Sequence, residues 1–243
     1  DHISRKSENF ECCMALSFLY NFFILSIMAL MISLNFRLSK FLNLSLAGFF
    51  AAGSYIAYFY PNMIIALILG GLFGFGLSLI IMRYCESIIE ATISSLGFGL
   101  LIERILYFIH RSSYYYILDY DLSWLSIPAT LTVFAVIMLL YLTKNIGLKL
   151  KFVESDIELA EIYGVDTTKI RYTVIVLTSA TVTCFGFIYA SLLAITPTVG
   201  FGYLISGIII SAFAAQLKLN GIHHYISVVA LSFVLTRIFG VIL

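Results

Sequence analysis

The sequence predicts an all-α protein, a polytopic transmembrane helical bundle of about eight spans (seven to nine). Three observations carry this. First, 61% of the 243 residues are hydrophobic and only 11% are charged, whereas a globular domain is roughly 45–50% apolar and about 25% charged; mean hydropathy is +1.03. Second, the apolar residues come in runs of about 20, the length a helix needs to cross a hydrocarbon core of roughly 30 Å. Third, these runs are continuous. Strands of an outer-membrane barrel alternate polar and apolar residues, and backbone groups in lipid must bond within their own segment, so helices remain. The spans and their loops use up the chain, so residues 1–243 read as one transmembrane domain without a separate soluble one. A net charge of +1 gives no reason to expect nucleic acid as a partner.

Taken in order, the first span covers about residues 16–36 and is followed by Arg37 and Lys40. Residues 1–14 begin at Asp rather than Met and are expected to be disordered, or an artefact of the recorded start. The second span, 41–60, mixes Asn43, Ser45, Gly48 and Gly53 with aromatics. The third, 63–82, ends at Arg83, and the fourth, 88–109, carries Glu90, Glu103 and Arg104. A tyrosine-rich loop at 112–124 suits the membrane interface, where aromatic rings prefer to sit. The fifth span is 125–143. Residues 144–171 form the one long polar stretch, with five basic and five acidic residues. A sixth span, 172–194, ends before the breaker Thr196-Pro197; a seventh covers 203–217 and an eighth 222–243.

Orientation follows from Lys and Arg, which favour cytoplasmic loops. With 144–171 in the cytoplasm, Arg37, Lys40, Arg83 and Lys218 fall on the same side. Arg5 and Lys6 fall outside, and Arg104, Arg111 and Arg237 lie in spans or on the outer side. A re-entrant segment at 41–60 would change this parity.

Small residues mark close helix contacts. Gly70 and Gly74 form a GxxxG pair, and Ser179, Thr183, Gly186 and Ala190 recur at helical spacing. Cys12, Cys13, Cys85 and Cys184 show neither a disulfide framework nor metal-ligand spacing. His223-His224 reads as a pair at the cytoplasmic boundary rather than a metal site.

Within the polar loop, residues 154–163 (ESDIELAEIY) are expected to form a short helix. Ile157, Ala160 and Tyr163 lie three apart, Leu159 and Ile162 widen the apolar side, and Gly164 is a natural stop. Such a helix docks in a partner's groove or lies on the membrane. Its acidic polar face disfavours anionic lipid and favours a protein partner. A solvated linker helix is the plain alternative.

Residues 147–170, GLKLKFVESDIELAEIYGVDTTKI, resemble the cytoplasmic coupling loop of bacterial ABC-importer permeases of the branched-chain amino acid type. The order is a Gly, basic residues, acidic groups at Glu154 and Asp156, Ala160, then Gly164-Val165-Asp166 and a basic residue at Lys169. Residues 41–57 resemble the family's early LNF-x-x-G segment through Leu42, Asn43, Gly48, Gly53, Ser54 and Tyr55. ISSLG at 93–97 is similar to its I-S-x-x-G segment, and Pro197 and Gly200 match its later P-x-x-G. The chain departs from the family at 216–221, where a Gly-Gly is usual, and at Glu90, where an apolar residue is usual. The family also carries one more C-terminal span, so the chain is expected to be truncated or divergent there.

The resemblance implies a multi-pass permease subunit in the bacterial inner membrane, paired with a second permease subunit as a homo- or heterodimer. Separate ABC ATPase subunits would drive it and an extracytoplasmic binding protein would deliver substrate. It implies ATPase-coupling roles for Glu154, Asp156, Ala160, Tyr163 and Gly164 in a cytoplasmic coupling helix. The chain itself contains no GxxxxGK[ST] phosphate loop, and no enzyme activity, metal or cofactor is expected.

Candidate substrate-path residues are Asn43, Ser45, Gly48, Glu90, Ser94, Ser95 and Gly97. Polar or ionisable groups inside a span usually face the bundle interior or a cavity, and Asn43 and Ser45 mark either a broken helix at the path or a structural turn. Glu90 sits near a span end, where it can also snorkel. Glu103 and Arg104 are expected to pair or to reach the outer interface. A sugar or nucleoside permease of the same superfamily is one alternative. A self-contained secondary transporter or channel, with its ion site among Glu90, Glu103 and Arg104, is another. No HExxH or nucleophile–base pattern supports a membrane enzyme.

Overall fold

The computed structural model describes residues 2–110, 123–191 and 195–242, with side chains over 18–109, 124–191 and 195–238. The described elements are helices: α1 (His2–Ser39), α2 (Leu46–Phe59), α3 (Met63–Tyr84), α4 (Ile88–His110), α5 (Ser126–Leu142), α6 (Lys144–Ser155), α7 (Ile157–Ile162), α8 (Thr167–Tyr189), α9 (Val199–Gln216) and α10 (Ile222–Ile242). A 3-10 turn at Ser123–Leu125 leads into α5. Most of the tyrosine-rich segment 112–124 lies outside the described residues.

The helix at the centre is α8, packed chiefly on α3 and α2 and also on α1. Its sequence explains the position. Thr178, Ser179 and Thr183 are buried, and each hydroxyl bonds a carbonyl one turn back, to Val174, Ile175 and Ser179 at 2.7–2.8 Å. Their polar groups are thus satisfied inside the helix, and their small size lets neighbours approach. The GxxxG pair of α3 meets this stripe: Gly70 lies against Thr183 and Gly74 against Ser179. Lipid gives no hydrophobic drive for helices to associate, so such close packing holds the bundle together. The small residues that the sequence shows on two separate spans form one interface.

Buried almost throughout, α2 lies between α8, α4 and α9. Its Gly53 abuts the Thr183 carbonyl, and Gly186 of α8 abuts the Phe50 carbonyl. The α1 helix packs along α8, α9 and α10. Its helical course ends at Ser39, and Lys40 turns out of it with φ 59°.

Among the described residues, five helices are long and apolar enough to cross a membrane, or six if α5 and α6 count as one broken span. The expected eight is not confirmed by length: three apolar helices, α2, α5 and the described part of α10, fall short, the first two for plain physical reasons. At 14 residues, α2 is short because the chain stays non-helical from Lys40 to Ser45. At 17 residues, α5 stops at Thr143, where the chain bends by 92° into α6. The bend also corrects the reading of 144–171. Helix is not confined to 154–163 but begins at Lys144, breaks at Asp156 and resumes as α7. Gly147 permits the bend, since a Cβ there would sit 2.3 Å from the Tyr141 carbonyl oxygen.

Candidate functional site

Two groups of predicted residues come together, at different places. The first is built around α6 and α7. One face of α6, Gly147, Leu150 and Val153, packs inward, so its last turn carries Glu154 to the end of α1. There Arg37 forms an ion pair with Glu154. The same guanidinium donates to the Leu219 carbonyl in the α9–α10 turn at 2.8 Å, and Lys40 Nζ donates to the Glu154 carbonyl at 2.6 Å. Burial and the neighbouring Arg37 cation lower the Lys40 pKa. Tyr141 of α5 donates to Glu154 Oε2 at 3.4 Å, which leaves Tyr225 of α10 to donate to Tyr141 at 2.9 Å. Next to Tyr225 on α10, His224 has its Nε2 2.6 Å from Ser33 Oγ of α1.

Both ends of α7 are fixed. Asp156 caps it by accepting from the Glu158 and Leu159 amides at 2.9 and 3.4 Å. At its other end, the Val165 amide reaches the Ala160 carbonyl and the Gly164 amide the Glu161 carbonyl, at 3.0 and 2.9 Å. This is a Schellman motif with Gly164 in the left-handed conformation, φ 76°. Ala160 is fully buried beneath the helix, while Ile162 and Tyr163 are 83% and 67% exposed, and Leu159 is exposed beside them. The Tyr163 ring stacks on Phe152 of α6 with centroids 5.4 Å apart. The predicted coupling residues therefore divide. Asp156 and Gly164 shape α7, Ala160 seats it, Tyr163 lies on its outer face, and Glu154 points back into the protein.

The second group sits at the α1–α2 break. Asn43 Oδ1 accepts from the Ser45 amide and hydroxyl at 3.2 and 2.6 Å. Ser95 Oγ of α4 accepts from the Leu44 amide at 3.0 Å. Gly48 faces Gly99 of α4 so closely that a Cβ would lie 2.6 Å from the Gly99 carbonyl oxygen. Asn43, Ser45, Gly48 and Ser95 thus make a buried joint that satisfies the non-helical backbone. Non-helical chain is tolerated at membrane depth when it is buried in protein in this way.

Glu90, Ser94 and Gly97 lie elsewhere on α4. Glu90 is exposed, and its Oε2 accepts from the Glu86 and Ser87 amides at 2.9 and 3.4 Å, while its own amide donates to Ser87 Oγ at 3.2 Å. This reciprocal capping box was open to the sequence as S-x-x-E, SIIE at 87–90. Ser94 Oγ lies 3.4 Å from Cys85 Sγ, and the Cα of Gly97 faces open space. In the C-terminal half of α4, Glu103 is buried and Arg104 exposed. Arg237 of α10 finds the Phe18 ring, 4.9 Å from its centroid. Among the described residues no cluster of three His, Cys, Asp or Glu is placed to hold a metal.

Against known families, the sequence profile of the permease component of branched-chain amino acid transport systems matches residues 14–242. The chain belongs to this family. It is a transport permease, multi-pass and helical, and the match runs through α7, the break and the α9–α10 turn alike. No curated protein and no solved structure matches it. Sequence reasoning missed three features of this permease: the α6 helix, the inward turn of Glu154, and its partner Arg37. The partner lies 117 positions away, and no local pattern announces it.

Proposed function

We propose that the permease is a subunit of an ABC importer in a bacterial inner membrane, carrying branched-chain or similar amino acids through a path shared with a second permease subunit. ATPase subunits dock on α7, and an extracytoplasmic binding protein supplies the solute. The observation that carries this reading is the outer face of α7. Ile162 and Tyr163 are apolar and mostly exposed, yet they stand on a polar loop rather than in a span, on a helix of six residues. So short a helix is not stable alone. The cap at Asp156, the Schellman motif and the seat under Ala160 hold it in place. An exposed apolar patch on a preformed helix suits a groove in another protein.

Eight crossings fit the same reading. Ser95, which bonds the break, lies about 10 Å into α4 at 1.5 Å per residue. α2 therefore starts inside the membrane and needs fewer residues to cross, ending at the exposed aromatics Tyr58, Phe59 and Tyr60. With α2, α5 and α10 counted as shorter spans, the ends of α1, α6 and α9 share the cytoplasmic side, as their Lys and Arg residues require. In the path, Glu90, Ser94 and Gly97 line the uncovered side of α4. Asn43, Ser45, Gly48 and Ser95 set the bend of α1 into α2 behind it.

Uptake tests the reading. The permease, reconstituted with the ATPase and binding-protein components of its own system, is offered a panel of labelled solutes: leucine, isoleucine, valine, other neutral amino acids, ribose and a nucleoside. ATP-dependent uptake of branched-chain or related amino acids is expected. Preference for ribose or the nucleoside would contradict the substrate class, and uptake without the ATPase subunits would contradict the importer.

A further inference from the structure

Force applied to α7 has a short route into the membrane helices. Asp156, which caps α7, is two residues from Glu154, so a displaced α7 moves Glu154 first. The contact of α6 with the bundle is otherwise an apolar strip, Gly147, Leu150 and Val153, along which a helix can slide. The polar pin is Glu154. Its carboxylate is held by Arg37, in the last turn of α1, and more loosely by Tyr141 of α5, and its carbonyl by Lys40, the first residue past α1. Four residues past Lys40, the break itself is fastened to α4 by Ser95 at Leu44. Beside the pin lies a cavity of about 440 Å³ between α6 and the α9–α10 turn, lined by Arg37, Lys151, Glu154, Asn220 and His223 among others. It gives α6 room to move.

We propose that the Arg37–Glu154 pair is the joint that carries displacement of α7 to the α1–α2 break, and that Arg37 is a positioning residue of the transport cycle. The proposal rests on the reading of α7 as the ATPase-docking helix. Both side chains are largely buried, 17% and 10% exposed. Removing one partner leaves the other, in a largely buried place, without its counter-ion, with only the weaker contacts to Tyr141 and Lys40 or to Leu219. The pair therefore acts as a unit, and a displacement at one end is not absorbed by solvent before it reaches the other.

The test uses the assembled transporter with Arg37→Gln, Glu154→Gln and the double substitution. It reads ATPase subunits retained, ATP hydrolysed, and import per ATP of the solute that the unaltered complex takes up best. Each single variant is expected to keep its ATPase subunits and hydrolyse ATP, while import per ATP falls roughly tenfold, the scale at which mutations along such networks change coupling. The double variant is expected to be no worse than either single one, because the pair is one unit. Unchanged import per ATP overturns the proposal, as does a double loss that is the product of the two single losses. Loss of the ATPase subunits from the single variants also overturns it, since the pair would then serve docking or folding rather than transmission. Arg37→Lys keeps a cation beside Glu154 but gives up the bond to Leu219, and it guards against a folding defect: import per ATP is expected to stay well above that of Arg37→Gln, and a loss as large as that of Arg37→Gln overturns the joint. Failure of the docking reading shows separately, as ATPase subunits that stay bound to an Ile162→Asp permease.

Discussion

Gly53 and Gly97 look alike in the sequence, each a glycine in an apolar run, and the structure gives them opposite parts. A Cβ on Gly53 would lie 1.9 Å from the Thr183 carbonyl oxygen, whereas one on Gly97 meets nothing within 4 Å. Gly53→Ala is therefore expected to destabilise the permease by about 1–3 kcal/mol, the usual cost of overpacking. Gly97→Ala is expected to leave stability unchanged or slightly raised, since alanine is the better helix former. Thermal unfolding in detergent separates the two, and equal midpoints would show that α2 and α8 are not so closely packed. Ser95→Ala removes the acceptor of the Leu44 amide, and an unpaired buried amide costs about 1–3 kcal/mol. The same measurement should show a clear drop for Ser95→Ala and a smaller one for Ser94→Ala, whose hydroxyl has only a thiol at 3.4 Å. At this scale the sequence was legible where the partner is local. The Ser87–Glu90 capping box could be read from spacing, yet a glutamate in an apolar run draws attention as an intramembrane charge. Arg37 with Glu154, and Leu44 with Ser95, are long-range pairs that no pattern along one segment reveals.

Among the elements, α7 depends most on its ends. Asp156→Ala should cost about 1 kcal/mol of local stability, as lost N-caps do. Amide exchange across residues 157–163 should quicken while that of α8 stays unchanged; uniform protection in both forms would show that the cap is not needed. Asp166 caps α8 in the same way. Its side-chain bond to Lys169, with the Lys169 amide second, lowers the carboxyl pKa below the usual carboxylate value. A depressed carboxylate adds stability above its unfolded pKa and loses it as pH falls through the folded one. Protection of the Lys169 amide is therefore expected to hold through the neutral range and fade only in acid; fading near neutral pH would contradict the cap. The existence of α7 was readable from its apolar spacing and the Gly164 stop. The α6 helix was not, because Gly147 and three scattered lysines read as loop, and only the close approach to Tyr141 gives that glycine a place in a bent helix pair. The α3–α8 contact was legible on both sides separately, since small residues at helical spacing have few other uses in lipid.

For the whole molecule, composition carried the class with little help from detail. A chain this apolar with continuous runs has helices as its way across a bilayer. The number of crossings was harder, because length alone cannot show that α2 starts only after a non-helical stretch or that α5 ends in a sharp bend. The polar loop fares differently. Its acidic and apolar spacing, resemblance to a coupling loop, and family membership over residues 14–242 agree. The structure adds that Glu154 faces Arg37 while Ile162 and Tyr163 face outward. On the proposed function, the energy for transport enters through that outward face of α7. Co-purification of the ATPase subunits with the intact permease and with Ile162→Asp and Tyr163→Asp variants tests it most directly. ATPase subunits are expected to bind the intact permease and to be lost from both variants, with the thermal midpoint unchanged for Ile162→Asp, whose side chain is exposed, and slightly lower for Tyr163→Asp, which gives up its stack on Phe152. ATPase subunits retained at full stoichiometry by both variants would contradict it.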